Sequence, residues 1–313
     1  MIASVTSLDF GPLVLGGNVF GWSADRDTGF RVLDAFVAGG GRAIDTADSY
    51  VAWLPGNVGG ESETIIGEWL ASRGNRDDVV IATKVASLPT RKGLSAANIE
   101  AAVEDSLRRL QTDRIDLYFA HVDDPDVPQE ETLAAFHRLV QAGKVREIGA
   151  SNFTAARLAS AAAVATAEGL TPFTVAQDKW SLVERGIETA LVPTLQDLGI
   201  AEIPYSSLAS GFLTGKYRPG STTDSVRAGR ASGYLDDPRN LDLLAVLDDV
   251  AADRGTSVTA VALAWLAAQP TVAAPIASGR TPEQVADLLA AGAVRLTPQE
   301  LEQLSATTEP AGA

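Results

Sequence analysis

A chain of 313 residues with no cysteine and a formal net charge of −15 has no disulfide framework and no thiolate metal site. Its negative charge is dispersed, which argues against a nucleic-acid partner, since phosphate binding relies on clustered Lys and Arg. No apolar run approaches the roughly 18 residues of a membrane span, and the opening stretch MIASVTSLDFGPLVLGG lacks the basic start of a secretory signal.

Short β-branched apolar runs alternate with amphipathic helical patterns along the chain. In order, the expected strands are LVLGG (13–17), RAIDTA (42–47), VVIATK (79–84), IDLYFA (115–120), REIGAS (146–151), FTVAQ (173–177), IAEIPY (200–205) and TVAAPI (271–276). Helical patterns lie between them, among them Ser62–Ala71, Ala96–Leu110, Glu130–Gln141 and Ile187–Leu198. Ser95 offers an N-cap to the second of these, and Thr281-Pro282 opens another helix with Pro at its first position. Gly39-Gly40-Gly41, Gly143 and Gly199 mark helix ends.

Alternating strands and helices require right-handed crossovers and a parallel sheet. Eight such units close most naturally as a single (β/α)8 barrel, and the length suits one barrel of about 250 residues with insertions. The doubly wound alternative expects a GxGxxG turn after the first strand, where only Gly16-Gly17 stands. The whole chain, 1–313, therefore reads as one α/β domain, with the cytoplasm as its default compartment and its oligomeric state open. One stretch interrupts the rhythm: Ser206 to Asp237, rich in Gly and Ser, is a long insertion after the seventh strand. Loops of this length inside a compact domain commonly carry function.

Asp45 and Tyr50 in AIDTADSY, Lys84 closing VVIATK and His121 following IDLYFA all fall at strand ends or just after them. In such a barrel these ends converge on the active face. Carbonyl reduction needs a hydride donor, a proton donor for the developing alkoxide and a group that polarises the oxygen. Tyr50 can supply the proton, although an ordinary phenol titrates near pH ~10. Lys84 beside it would stabilise phenolate, Asp45 would hold Lys84 charged, and His121 could donate to the substrate oxygen or relay the proton. No metal is required, and two histidines without cysteine offer little to bind one. A lysine at a strand end could instead form a Schiff base in a lyase.

These residues and several later segments resemble the aldo-keto reductase family over nearly the full chain. DTADSY is similar to that family's catalytic Asp and Tyr, and Lys84 and His121 to the rest of its tetrad. The resemblance implies a barrel with an N-terminal β-hairpin and long loops at the C-terminal face, using NADP(H) to reduce aldehyde, ketone or keto-sugar carbonyls. GKVREIGASNF (143–153) resembles the segment that sets Ser151 and Asn152 under the nicotinamide carboxamide. AQDKWSLVER (176–185) implies Gln177 as a further carboxamide partner and Trp180 as the aromatic stacked on the ring. YSSLASGFLTGKY (205–217) resembles a pyrophosphate-binding belt, which implicates Ser206, Leu208, Gly211, Leu213 and Lys216. IASGRTPEQVADLL (276–289) resembles the adenosine 2′-phosphate site, with Ser278 and Arg280 on the phosphate and Gln284 against the adenine. An Arg beside a helix start suits an anion, so NADPH is expected over NADH.

The chain departs from the family pattern at Asp178 (usually Asn), Trp180 (more often Tyr), Ala277-Ser278 (usually Pro-Gly) and Leu288 (usually a polar amide). Trp22 and Trp53 follow strand ends and are expected to wall a substrate pocket without an Arg cluster, so a neutral small-molecule carbonyl is favoured. A non-catalytic, nicotinamide-sensing auxiliary subunit remains the other reading that the family resemblance allows.

Overall fold

The computed structural model describes residues 6–220 and 228–308. Its strands, in chain order, are β1 (Val14–Gly16), β2 (Ala43–Asp45), β3 (Val80–Val85), β4 (Ser87–Leu88), β5 (Arg91–Lys92), β6 (Ile115–Ala120), β7 (Val145–Ser151), β8 (Val175–Gln177), β9 (Ala201–Glu202) and β10 (Ile276–Ala277). Eight of them form one sheet in the order β10-β1-β2-β3-β6-β7-β8-β9, and every pairing in it is parallel. The two ends of this order meet. Glu202 N donates to Thr271 O (2.8 Å), Ala273 N to Glu202 O (2.8 Å) and Ile276 N to Pro204 O (2.9 Å). Closure of the ladder removes the exposed sheet edges.

Helices follow the strands: α1 (Arg26–Ala38), α2 (Glu61–Arg73), α3 (Ala96–Leu110), α4 (Gln129–Gln141), α5 (Ala155–Glu168), α6 (Leu191–Leu198), α7 (Ala228–Ser232), α8 (Pro238–Arg254), α9 (Val258–Ala267), α10 (Pro282–Ala290) and α11 (Pro298–Thr307). The expected caps are present. Ser95 accepts from Asn98 N and Thr281 from Gln284 N, with Pro282 in the first turn of α10. Among the described residues no helix is long and apolar enough to cross a membrane.

Side chains alternate across each strand, and that alternation sorts the core. Val14, Ala43, Ala82, Leu117, Phe119, Val175 and Ile276 meet in one buried cluster, while Leu15, Ile44, Ile81, Tyr118 and Ala176 join the larger cluster shared with the helices. The first set fills the barrel and the second faces outward, so both faces are covered and the strands read as continuous apolar runs. The next inward position on each strand lies two residues toward its C-terminal end. Those positions are Asp45, Lys84, His121, Ser151 and Gln177, each two residues past an axis-facing neighbour or, for Ser151, past Gly149. Cross-strand register supports this layer, with Asp45 opposite Ala82, Lys84 opposite Phe119 and Ser151 opposite Gln177.

The N-terminal hairpin is not found among the described residues. No strand precedes Val14; Leu8 and Phe10 are instead buried against the barrel-filling cluster, and residues 1–5 lie outside the described residues. The two-stranded antiparallel sheet here is β4–β5, in the loop after β3. Expected strands 200–205 and 271–276 are shorter because Pro204 and Pro275 have no N–H for the ladder. Bonds nevertheless continue past Pro204, from Tyr205 N to Asp178 O (2.9 Å). The insertion begins with short 3₁₀ turns within Ala209–Thr214, broken by a kink at Ser210 and Gly211, and its residues 221–227 lie outside the described residues.

Candidate active site

Strand β2 delivers Asp45, the turn after it delivers Tyr50, and β3 delivers Lys84, which is 0% exposed. Lys84 Nζ donates to Asp45 Oδ1 and Oδ2 (both 2.7 Å), to Thr46 O (2.7 Å) and to the Tyr50 hydroxyl oxygen (2.9 Å). The Tyr50 hydroxyl in turn donates to Asp45 Oδ2 at 3.0 Å. A buried ammonium is costly unless paired and hydrogen-bonded, and this one has a full complement of acceptors. The His121 ring stands edge-on to the Tyr50 ring, with centroids 6.1 Å apart, and Ser49 Oγ lies 3.4 Å from His121 Nδ1. The four residues singled out in the sequence are thus brought to one place.

Burial and the close charges set the resting protonation states. Burial pushes the Tyr50 phenol well above its usual value, and the Asp45 carboxylate adds to this. Burial pulls the Lys84 ammonium down, against the opposing pull of Asp45. The Lys84 charge is largely engaged by Asp45, so Tyr50 stays a phenol rather than becoming phenolate. His121 is pushed down to about 3, chiefly by burial and then by the Lys84 charge. Its imidazole is therefore neutral at ordinary pH, able to donate one N–H and unable to act as a resident imidazolium.

Around this centre, Ser151 is buried at the end of β7 and Asn152 is exposed just beyond it. Asn152 has a left-handed φ of 59°. Its Nδ2 donates to His121 O (3.0 Å) and to Ser151 Oγ (2.9 Å), and its Oδ1 accepts from the Tyr205 hydroxyl (2.8 Å). Gln177 Nε2 donates to Asp45 Oδ1 at 2.9 Å. Trp180 stands apart from the expected ring-stacking position. It is 1% exposed, packs with Leu182, Val192 and Phe212 in a separate apolar cluster, and its Nε1–H donates to Glu188 Oε1 (2.8 Å). Its indole is a core group, and Tyr205, half-buried at the end of the β9 segment, is the aromatic beside Asn152. Sequence reasoning gave Tyr205 no role, although its strand-end position was the available signal.

In the belt, Ser206, Ala209, Ser210 and Gly211 all hold left-handed φ values, of 57°, 46°, 58° and 96°. Three of the four are not glycine, so the backbone carries local strain of the kind concentrated at ligand sites. Ala209 N donates to Ser206 O and Gly211 N to Leu208 O (both 2.8 Å), so the left-handed turns are held by backbone bonds of their own. Leu213 is fully buried and its N–H is bonded to Leu208 O (3.2 Å), so it shapes the belt from inside. Lys216 is exposed, with Nζ 5.2 Å from the Tyr217 ring centroid.

At the last strand end, Ser278 Oγ donates to Asn18 Oδ1 (2.8 Å). A Cβ on Gly16 would lie 2.5 Å from that Oγ, so only glycine lets Ser278 sit there. Gln284 Oε1 accepts from Arg280 N (2.8 Å) at the start of α10, and among the described residues no acid pairs with the Arg280 guanidinium. Leu288, where the family pattern has an amide, is buried in the main core. Trp22 and Trp53 meet edge-on with centroids 6.1 Å apart, and Trp53 is 58% exposed. They stand on the loops after β1 and β2.

The donor set suits a nicotinamide dinucleotide: amide and hydroxyl groups at the ends of β7 and β8, a left-handed belt with a lysine, and an arginine at a helix start. The sequence profile of the Aldo/keto reductase family matches residues 12–309. An uncharacterized oxidoreductase of Bacillus subtilis is 36% identical, covering 96% of this chain and 93% of that protein. An aldo-keto reductase of Aspergillus calidoustus is 34% identical over 97% of this chain and 80% of its own length. A norsolorinic acid reductase of Aspergillus flavus is 32% identical over 97% of this chain and 79% of its own length. With the barrel, the converging strand ends and these matches, the chain belongs to the aldo/keto reductase family.

Proposed function

We propose that this chain, acting as a single domain, is an NADP(H)-dependent carbonyl reductase that converts aldehydes, ketones or keto-sugars to alcohols, reversibly, with Tyr50 as the general acid. The observation that carries this reading is the closed triangle of Tyr50, Lys84 and Asp45, with neutral His121 beside it. Bound NADPH would supply the hydride to the carbonyl carbon. The chain's own groups handle the oxygen. Tyr50 gives its hydroxyl proton to that oxygen as negative charge develops, and an alkoxide is a strong enough base to take it even from a phenol held above its usual value. Lys84 then stabilises the phenolate left behind, and Asp45 keeps Lys84 charged. If the Ser49 hydroxyl donates to His121 Nδ1, the Nε2–H is free to donate to the substrate oxygen.

Ser151, Asn152 and Gln177 would hold the carboxamide, and Tyr205 takes the stacking role expected of Trp180. The strained belt with Lys216 would hold the pyrophosphate, and Ser278 with Arg280 the 2′-phosphate. Trp22 and Trp53 would wall the substrate entrance, offering it apolar surface. The Schiff-base alternative is disfavoured because Lys84 is wholly buried and its N–H groups are committed to four acceptors. Single-turnover hydride transfer to a reactive aldehyde tests the proposal. Tyr50→Phe should slow it by about 10²–10⁴-fold, and an unchanged rate would sink the mechanism.

A further inference from the structure

Two acids meet behind the proposed carboxamide site, with no cation between them among the described residues. Asp178, just past β8, is 5% exposed, and Glu202, on β9, is 0% exposed. Asp178 N donates to Glu202 Oε1 at 2.8 Å, and Asp178 Oδ1 accepts from Asn152 N at 3.1 Å. The second oxygen of each acid, Asp178 Oδ2 and Glu202 Oε2, is buried without a hydrogen-bond partner. Among the described residues neither carboxyl is paired with Lys or Arg. The charged and titratable groups nearby include Tyr205, whose N–H bonds Asp178 O and whose hydroxyl bonds Asn152, and the Lys179–Glu184 ion pair, whose Glu184 also accepts from the Tyr234 hydroxyl. Tyr205 and Glu184 add no positive charge.

Two ionised carboxylates in such a place would each leave an unsolvated, unbonded oxygen, which is costly. A proton on one acid supplies the missing donor and removes one of the two like charges. We propose that Asp178 and Glu202 share a single proton and act as one unit that positions Asn152, so that Asp178 is a positioning residue for the cofactor's carboxamide. Burial pushes both carboxyls up from the usual range, and the charge of Asp178 pushes Glu202 further.

The consequence runs through Asn152. Its left-handed backbone is held by Asp178 at its N–H, and its side chain is held by Tyr205, Ser151 and His121. Loss of the shared proton sets two anions against each other beneath that peptide, and Asp178 Oδ1 is the atom that must move. The inference rests on the reading of Asn152 as a carboxamide partner.

The test is calorimetric binding of NADP⁺ by the whole protein across pH, for the wild type, Asp178→Asn, Glu202→Gln and Asp178→Ala. Each amide variant replaces the shared proton by a permanent N–H donor. The wild type should lose about tenfold in affinity or more as the pair gives up its proton, tenfold corresponding to one unit of differential interaction. Asp178→Asn and Glu202→Gln should keep the low-pH affinity and flatten the profile, and Asp178→Ala should bind weakly at every pH. NADPH binding serves as a check that the oxidised ring's charge is not the source of the effect. A profile in either amide variant that follows the wild type overturns the proposal. Infrared spectra of the cofactor-free protein give a second readout: the wild-type minus Asp178→Asn difference should contain a protonated-carboxyl carbonyl band that disappears as pH rises. If that band is absent, there is no shared proton. If neither NADP⁺ nor NAD⁺ binds at any pH, the carboxamide reading of Asn152 fails, and the positioning role with it, while the infrared band still decides the proton.

Discussion

Gln177 Nε2 donates to Asp45 Oδ1 at 2.9 Å, across the barrel from β8 to β2. Asp45 thereby accepts from three residues, Gln177, Lys84 and Tyr50. A carboxylate fixed by so many donors holds both Lys84 and Tyr50 in place.

If Gln177 served the cofactor alone, its loss would weaken binding and leave the chemical step intact. The bond to Asp45 implies both effects. Gln177→Leu should weaken NADPH binding and also slow single-turnover hydride transfer at saturating cofactor, by roughly tenfold for one lost bond of about 1–2 kcal/mol at a reacting centre. A variant changed only in Kd would show that the Asp45 contact has no bearing on the chemistry.

His121 is expected to be neutral throughout the working range, since burial and Lys84 hold it down to about 3. Its folded value is depressed, so its linkage works against acid: stability attributable to the neutral ring is present above about pH 6.5 and is lost as pH falls toward about 3. Ring-proton NMR of the folded protein should therefore show one histidine, absent in His121→Gln, that does not titrate between about pH 5 and 8. A midpoint for that ring near its ordinary value would contradict the geometry, and the role of Nε2–H as a neutral donor with it.

Asp48 carries the opposite sign. It lies between Asp45 and Tyr50 in the chain, both of its carboxyl oxygens are buried without hydrogen-bond partners, and its value is pushed up to about 7 by burial and then by Glu63. A raised carboxyl stabilises the fold below its unfolded value of 3.8 and loses that contribution as pH rises through about 7. Asp48→Asn, which cannot ionise, should gain on the wild type from about pH 4 to about pH 7 and hold a constant lead above, up to about 4 kcal/mol. Urea unfolding of both proteins at several pH values measures this. A lead that does not vary with pH would mean that Asp48 does not titrate as its burial requires.

The tetrad was legible because two simple rules coincide at it. Strand ends converge on one face, and period-two alternation turns Asp45, Lys84 and His121 toward the axis above Ala43, Ala82 and Phe119. What was not legible depended on where loops turn after leaving the strands. Trp180 occupies a plausible slot by order in the chain, but the turn from Asp178 bonds Trp180 N to Tyr205 O (3.2 Å), and the indole packs in the second apolar cluster. Tyr205 sits at a strand end by the same rule that revealed Lys84, yet Pro204 and the Gly- and Ser-rich run after it made it read as part of a loop. Glu202 carries a usable signal: an acid in the middle of IAEIPY is out of place in a buried strand and calls for a partner, which is Asp178. The coupling of Lys84 to Tyr50 was legible only in part. Spacing shows that the two side chains can meet, but only the geometry shows that Asp45 already engages the ammonium.

The proposed selectivity for NADPH would rest on Arg280. Its backbone N–H is bonded to Gln284 Oε1, which fixes the residue at the start of α10, and among the described residues its guanidinium has no acidic partner. The helix start adds favourable potential for an anion, although Glu283 in the first turn opposes it. A charge-assisted pair with a phosphate contributes about 1.5–3 kcal/mol. Arg280→Ala should therefore raise the NADPH Kd about 10–100-fold and leave the NADH Kd within about twofold. Arg280→Lys should recover part of the preference, because it keeps the charge and loses the planar fork. The wild-type preference should also shrink with added salt, since the site is partly open to solvent. Calorimetric titration of both cofactors into the three proteins checks each point. An unchanged ratio of the two Kd values in Arg280→Ala would place the 2′-phosphate elsewhere on the barrel rim.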